Sequence, residues 1–123
     1  MMKQNSFNLS DMSLDKQKAP FVYTDEQLIA RFQAGDENAY IELVNRFRDR
    51  LINFVFQFLG DREQSEDVVQ DTMLKLYVKK HYYREIAKFS TWIYTIARNL
   101  ANTELRKRKR RKTTLLSQMT RDE

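Results

Sequence analysis

Tyr40, Val44, Phe47, Leu51, Phe54 and Phe58 recur at spacings of four, three, four, three and four residues, the period of one face of an α-helix. No glycine or proline interrupts the segment from Asp36 to Leu59. The spacing therefore predicts one long helix, N-capped by Asp36 and stopped at Gly60. The stretch LINFVFQFL would pass for a strand by composition, yet it extends the same stripe without a break and is assigned to helix. Apolar nearly all round, this half should be the centre of a core. A chain of 123 residues with two Gly and one Pro has room for one domain, and few sharp turns with which to build anything but helices around that element.

Three further helices can be read. Thr24 with Gln27 has the form of a capping box, followed by Leu28, Ile29 and Phe32 at helical spacing until Gly35. Asp61 with Gln64 opens a helix that should run to about Lys80, with Val69, Met73, Leu76 and Tyr77 facing inward. The segment HYYREIAKF has no clean period and is expected to be a connecting loop. A last helix should begin at Ser90 or Thr91 and continue into a basic tail. The expected architecture is all-α, a compact bundle of about four helices over residues 23–112. Residues 1–22 are expected to form a flexible polar leader without a signal-peptide core, which makes the cytoplasm the default location. Residues 113–123 show no apolar period and are expected to be a linker or a frayed end. No apolar run has the length a membrane span requires, so membrane insertion is not expected. The absence of Cys excludes a disulfide framework, a thiolate metal site and a Cys nucleophile.

Charge is concentrated in one place. The net charge is +5, but Arg106, Lys107, Arg108, Lys109, Arg110, Arg111 and Lys112 supply seven of the 22 basic residues. That leaves 15 basic against 17 acidic residues elsewhere, a mildly acidic body with one polycationic run. A polyanion met at one site is the implied partner. Upstream in the same helix, turned by about 100° per residue, Trp92, Ile93, Ile96, Ala97 and Leu100 fall on an expected core face. Thr91, Thr95, Arg98, Asn102 and Arg106 fall opposite, with Asn99 at the edge and Tyr94 flanking. Thr, Asn and Arg are the types that donate to phosphates and read base edges. Tyr82, Tyr83 and Phe89 precede them, flat side chains on which unpaired bases can stack, together with Lys88. Each feature has a plainer alternative: a tyrosine that packs at a rim, or cations that favour a helix C-terminus. Their order along the chain, aromatic loop, polar face, cation run, points to nucleic-acid binding. Trp92 is read as a structural anchor, and His81 is assigned no chemistry.

The third helix carries a second stripe, Asp67, Gln70, Asp71, Leu74 and Val78, acidic at one end and aliphatic at the other. Such a mixture can suit a partner groove, but from the pattern alone the plainer reading is preferred. In that plainer reading the acids only complement the helix dipole and Leu74 is buried. No nucleophile–base or metal constellation converges on these carboxylates, so no catalytic residue, metal or cofactor is expected.

Two segments carry a family resemblance. The acidic "EDVVQDTMLKLY" helix and the "FSTWIYTIARN" helix start, with the short connection between them, resemble region 2 of bacterial sigma factors, most closely the extracytoplasmic-function (ECF) group. The likeness runs from about Thr24 to Lys112. It implies that the third helix docks on the clamp helices of the RNA polymerase β′ subunit through Asp67, Gln70 and Asp71, flanked by Leu74 and Val78. It implies that the loop and the start of the fourth helix hold the melted non-template strand of the promoter −10 element. Asn99 and Asn102 match the face that reads the upstream end of that element. An anti-sigma factor is a further implied partner. Where primary sigma factors have adjacent tryptophans that help open the duplex, this chain has Thr95 and Ile96, so melting should lean on promoter match. The family's C-terminal helix-turn-helix domain, which binds the −35 element, is missing before Glu123. The expected function is thus non-enzymatic: core-polymerase binding together with −10 recognition and melting. Two rivals stand beside it: a stand-alone basic helical protein that binds nucleic acid without polymerase, and a membrane-surface module, against which the Asn/Thr face argues.

Overall fold

A computed structural model describes residues 21–122; the first twenty residues of the expected leader lie outside the described residues. Four α-helices, α1 (Asp25–Gln33), α2 (Glu37–Leu59), α3 (Arg62–Val78) and α4 (Phe89–Asp122), are joined by short connections, with one 3₁₀ turn at Lys80–Tyr82. The helix starts follow from local chemistry. Thr24 and Gln27 form the reciprocal capping box, Thr24 N donating to Gln27 Oε1 at 2.9 Å and Gln27 N to Thr24 Oγ1 at 3.1 Å. Asp36 accepts from Asn38 N and Asp61 from Gln64 N, each at 3.0 Å. Gly60 ends α2 with φ of 64°, a left-handed cap that only glycine adopts without steric cost, and its N–H donates to Phe56 O at 2.7 Å.

α2 is the central element, packed against each of the other three helices. Its buried line is Ala39, Leu43, Phe47, Leu51, Ile52, Val55 and Leu59. The predicted stripe is therefore right in its middle and wrong at its ends: Tyr40, Val44 and Phe54 are half-buried, and Phe58 is exposed. Because α2 is apolar on several sides, alternating four–three spacing does not choose between adjacent lines; the neighbouring helices do. Phe54 and Phe58 instead build an aromatic edge with Tyr94, ring centroids 5.1 and 4.9 Å from Phe54. Of the predicted α3 stripe, Val69, Met73 and Leu76 are buried. Tyr77 is partly exposed and donates its hydroxyl to Glu37 Oε2 at 3.1 Å, a bond that raises its pKa.

α4 makes the larger correction. Its innermost line is Phe89, Ile93, Ala97 and Ala101, each fully buried and four residues apart. The two alanines let the helix backbone approach the body closely, so the small residues face inward. Trp92, Ile96 and Leu100 are turned to one flank and are only half-buried. α4 starts at Phe89, one or two residues earlier than expected, and α3 ends at Val78, two residues short of the expected Lys80. At the other end α4 runs on through residues 113–122, where a linker or frayed end was expected, with Leu115, Leu116 and Met119 all exposed. Among the described residues no helix is long and apolar enough to cross a membrane.

Candidate nucleic-acid interface

The end of α3, the 3₁₀ turn, the loop of residues 83–88 and the first turns of α4 follow one another along the chain, and Lys75, Lys79, Tyr82, Trp92 and Asn99 from them line one groove. Tyr82 and Tyr83 are adjacent in sequence and opposite in fate. Tyr82 is 72% exposed, with the Lys79 ammonium 5.2 Å from its ring centroid. Tyr83 is buried between Phe89 and Trp92, ring centroids at 5.7 and 5.4 Å, and its hydroxyl donates to Ala87 O. Burial, and then the charges of Glu26 and Glu85, push the Tyr83 pKa above its ordinary value. Phe89 is fully buried against Phe47 at 5.5 Å. Tyr83 and Phe89 are thus core residues and offer no free ring face for a base, contrary to the reading of the sequence. Tyr94 is likewise half-buried, its ring engaged by Phe54 and Phe47. Of the loop aromatics, Tyr82 alone presents a stacking surface, joined by Ile86 at the loop tip, 91% exposed, and by the exposed Lys88.

Beside Tyr82 lies a groove of ≈ 240 Å³ whose walls include Lys75, Lys79, Trp92, Ile96, Asn99 and Thr103. Its floor is apolar and its rim carries two cations and an amide, the combination that holds a base by its face and a phosphate by its charge. The same turning of α4 that removed Trp92 and Ile96 from the core built this groove. Asn99 lies in it; Asn102, predicted beside it, is half-buried on another flank of α4 with Thr95. Thr91, Arg98 and Arg106 are exposed as expected. The Thr95 hydroxyl donates to Thr91 O at 2.7 Å, which leaves it free to act only as an acceptor. Sequence reading missed Lys75 and Lys79; the available signal was two lysines one turn apart at the end of the third helix, shortly before Tyr82.

The cation run is not uniform. Arg106, Lys107, Lys109, Arg110, Arg111 and Lys112 are exposed, but Arg108 turns back to the body. Its Nη1 donates to Leu59 O at 2.9 Å, satisfying a carbonyl at the C-terminus of α2, and its Nη2 bonds Gln64 Oε1. Arg108 is a brace between α4 and the α2–α3 corner, a role that corrects its assignment to nucleic acid. On the acidic stripe, Asp67, Gln70, Asp71, Leu74 and Val78 are all exposed, Leu74 at 61% and Val78 at 67%. This removes the alternative in which Leu74 is buried, and leaves an unpartnered mixed face.

Residues 43–111 match the family model described as sigma-70 region 2, which covers more than half of the chain. The chain belongs to the sigma-70 region 2 family. Among the relatives of this region 2 domain is the RNA polymerase sigma-H factor of Pseudomonas aeruginosa, 34% identical over 71% of this chain and 45% of its own length. The ECF sigma factor SigW of Bacillus subtilis is 32% identical over 66% of this chain and 43% of its own. The chain thus spans less than half the length of the curated relatives it matches. A solved complex of an engineered region 2 of sigmaE with GTAAAA matches 72% of this chain and 93% of that one, with a TM-score of 0.66 and 35% identity. The likeness to the ECF group and the all-α sigma region 2 fold inferred from the sequence are both borne out by these matches.

Proposed function

We propose that this domain acts by binding alone, as the part of an ECF-type sigma factor that joins core RNA polymerase to the promoter −10 element. The observation that carries the reading is the juxtaposition of the exposed Tyr82 with the Lys75–Lys79–Asn99 groove, directly upstream of a polycationic helix. Unpaired bases of the non-template strand stack at Tyr82 and enter the groove, while cations of the rim and of α4 hold the flanking phosphates. The exposed α4 face with Arg98 and Arg106 lies on the upstream duplex. Membership of the sigma family favours this over a stand-alone nucleic-acid-binding protein, as does the neighbour solved with GTAAAA. The acidic and aliphatic face of α3, from Asp67 to Val78, docks on the β′ clamp helices, and an anti-sigma factor restrains the domain in the cytoplasm.

Two measurements test the proposal. Fluorescently labelled single-stranded GTAAAA should bind more tightly than its complement, and Tyr82→Ala should remove that preference. Equal affinity for the two strands would defeat the −10 assignment. For polymerase, Asp71→Arg should weaken binding to a β′ fragment carrying the clamp helices roughly tenfold, since reversing a charge across a complementary interface adds repulsion to the lost attraction. Asp71 is exposed, so the fold should be unaffected. A folded variant with wild-type affinity would remove this face from the interface.

A further inference from the structure

The loop of residues 83–88 is held at both ends by one helix that lies outside the matched family segment of residues 43–111. Gln33, the last residue of α1, donates through its Nε2 to Lys80 O at 2.7 Å and to Tyr83 O at 3.2 Å, bonds that span 47 and 50 residues of chain. Glu26, two turns earlier on α1, accepts the backbone N–H of Phe89 at 2.8 Å, across 63 residues. Glu26 and Gln33 are seven residues apart and so share one side of the helix, about 10 Å between their positions along the axis. The side chain amide thus fixes where the loop leaves the 3₁₀ turn, and the carboxylate fixes where it enters α4. Within these limits the loop closes on itself, the Tyr83 hydroxyl donating to Ala87 O, so that Ile86 stands at its tip.

α1 is itself firmly placed. Leu28, Ile29 and Phe32 are buried in the core. Arg46 of α2 holds Asp25 at 2.9 Å and Tyr23 O at 2.6 Å, tying the helix start to the central helix. A short helix with two polar hooks on one side and a buried apolar face on another has the form of a brace. Both hooks bind backbone groups at the two ends of the loop rather than filling the apolar core.

We propose that Glu26 and Gln33 are positioning residues, which pre-set the pose of loop 83–88 and with it the base-capturing surface formed by Tyr82, Ile86 and the groove. The inference rests on the reading of that surface as the site for unpaired bases. It acts through population: a loop released at both ends spends less time in the binding pose, and apparent affinity falls by that fraction. No phosphate contact is touched, so the response to salt stays the same.

The test compares wild type, Glu26→Ala, Glu26→Gln, Gln33→Ala and the double alanine variant with Tyr82→Ala as the control. Each leaves the buried face of α1 intact. The probe is single-stranded GTAAAA, titrated at several salt concentrations, with amide hydrogen exchange resolved at residues 84–89. The double variant should bind about tenfold more weakly if the competent population falls to a tenth. Its salt slope should equal wild type, and the Phe89 amide should exchange faster. Glu26→Gln should match wild type, because its amide oxygen accepts the same N–H, whereas Glu26→Ala should not. Wild-type affinity in the double variant, while Tyr82→Ala has lost binding, would overturn the brace and leave the base-capture reading standing. So would a Gln variant as weak as the Ala variant. If wild type itself ignores the hexanucleotide, the base-capture reading falls, and unchanged protection of the Phe89 amide in Glu26→Ala would then overturn the brace as well.

Discussion

Replacing Phe89 by Ala is expected to lower the unfolding free energy by about 3–5 kcal/mol, the range for deleting a large ring from a packed interior. The ring is fully buried and meets Phe47, Tyr83 and Trp92 at centroid distances of 5.5, 5.7 and 5.9 Å. It comes from the first residue of α4 and seals the point where α2, α4 and the loop of residues 83–88 converge, among other aromatic rings rather than flexible side chains. Tyr82→Ala should do the reverse. Stability should stay within roughly 0.5 kcal/mol, as for most exposed positions, while binding to unpaired DNA should weaken by about 1–3 kcal/mol per lost stacking contact. Urea denaturation and hexanucleotide titration of the two variants separate the roles. A Phe89→Ala variant of wild-type stability would mean that the ring is not part of the core, and would return it to the list of stacking candidates.

That pair also marks what sequence can and cannot disclose. The helix starts were legible because capping is a local code: Thr24 with Gln27, Asp36 and Asp61 each bond within three residues. The bundle was legible because α2 has no breaker and is apolar on more than one side. The facing of adjacent aromatics was not, since Tyr82 and Tyr83 differ only in where the 3₁₀ turn releases the chain. The expected core face of α4 was right at Ile93 and Ala97, but that Ala101 rather than Trp92, Ile96 and Leu100 completes the inner line was hidden for a related reason. Hydrophobicity favours the three larger side chains, and closeness of helix approach favours the alanine. Arg108 and the two α1 hooks were invisible because they bond backbone atoms 47 or more residues away, and backbone groups leave no mark in a sequence. What sequence placed well was the order of parts: aromatic turn, polar face, cation run. What it misplaced was which member of each part faces out.

The same limit makes the cation run the more exacting test. Seven consecutive cations cannot all meet one strand, because a helix turns about 100° per residue and distributes them around its axis. Arg106, Lys109 and Arg110 line one surface of α4 with Thr113, and the first two fall on the side that carries Arg98. Lys107 and Arg111 line a second surface, with Arg110 at the edge between the two, and Arg108 is occupied by Leu59 O and Gln64. Substituting Arg106, Lys109 and Arg110 together by Gln should therefore flatten the log–log salt dependence of binding to a duplex with an unpaired extension. At about 0.9 per lost phosphate contact, the slope should fall by roughly 2 to 3, with affinity lower by about a hundredfold near 0.1 M salt. Substituting Lys107 and Arg111, on the side of the helix away from Arg98, should change the slope by less than half as much per charge removed. Arg108→Gln should leave the slope alone and instead lower stability by about 1–3 kcal/mol, since it strips a charged donor from two part-buried acceptors. Equal slope changes per charge removed in the two variants would show that the run acts as a diffuse cloud of charge without a DNA-facing side. In that case the orientation of α4 on the duplex would have to rest on Arg98 and Asn99 alone.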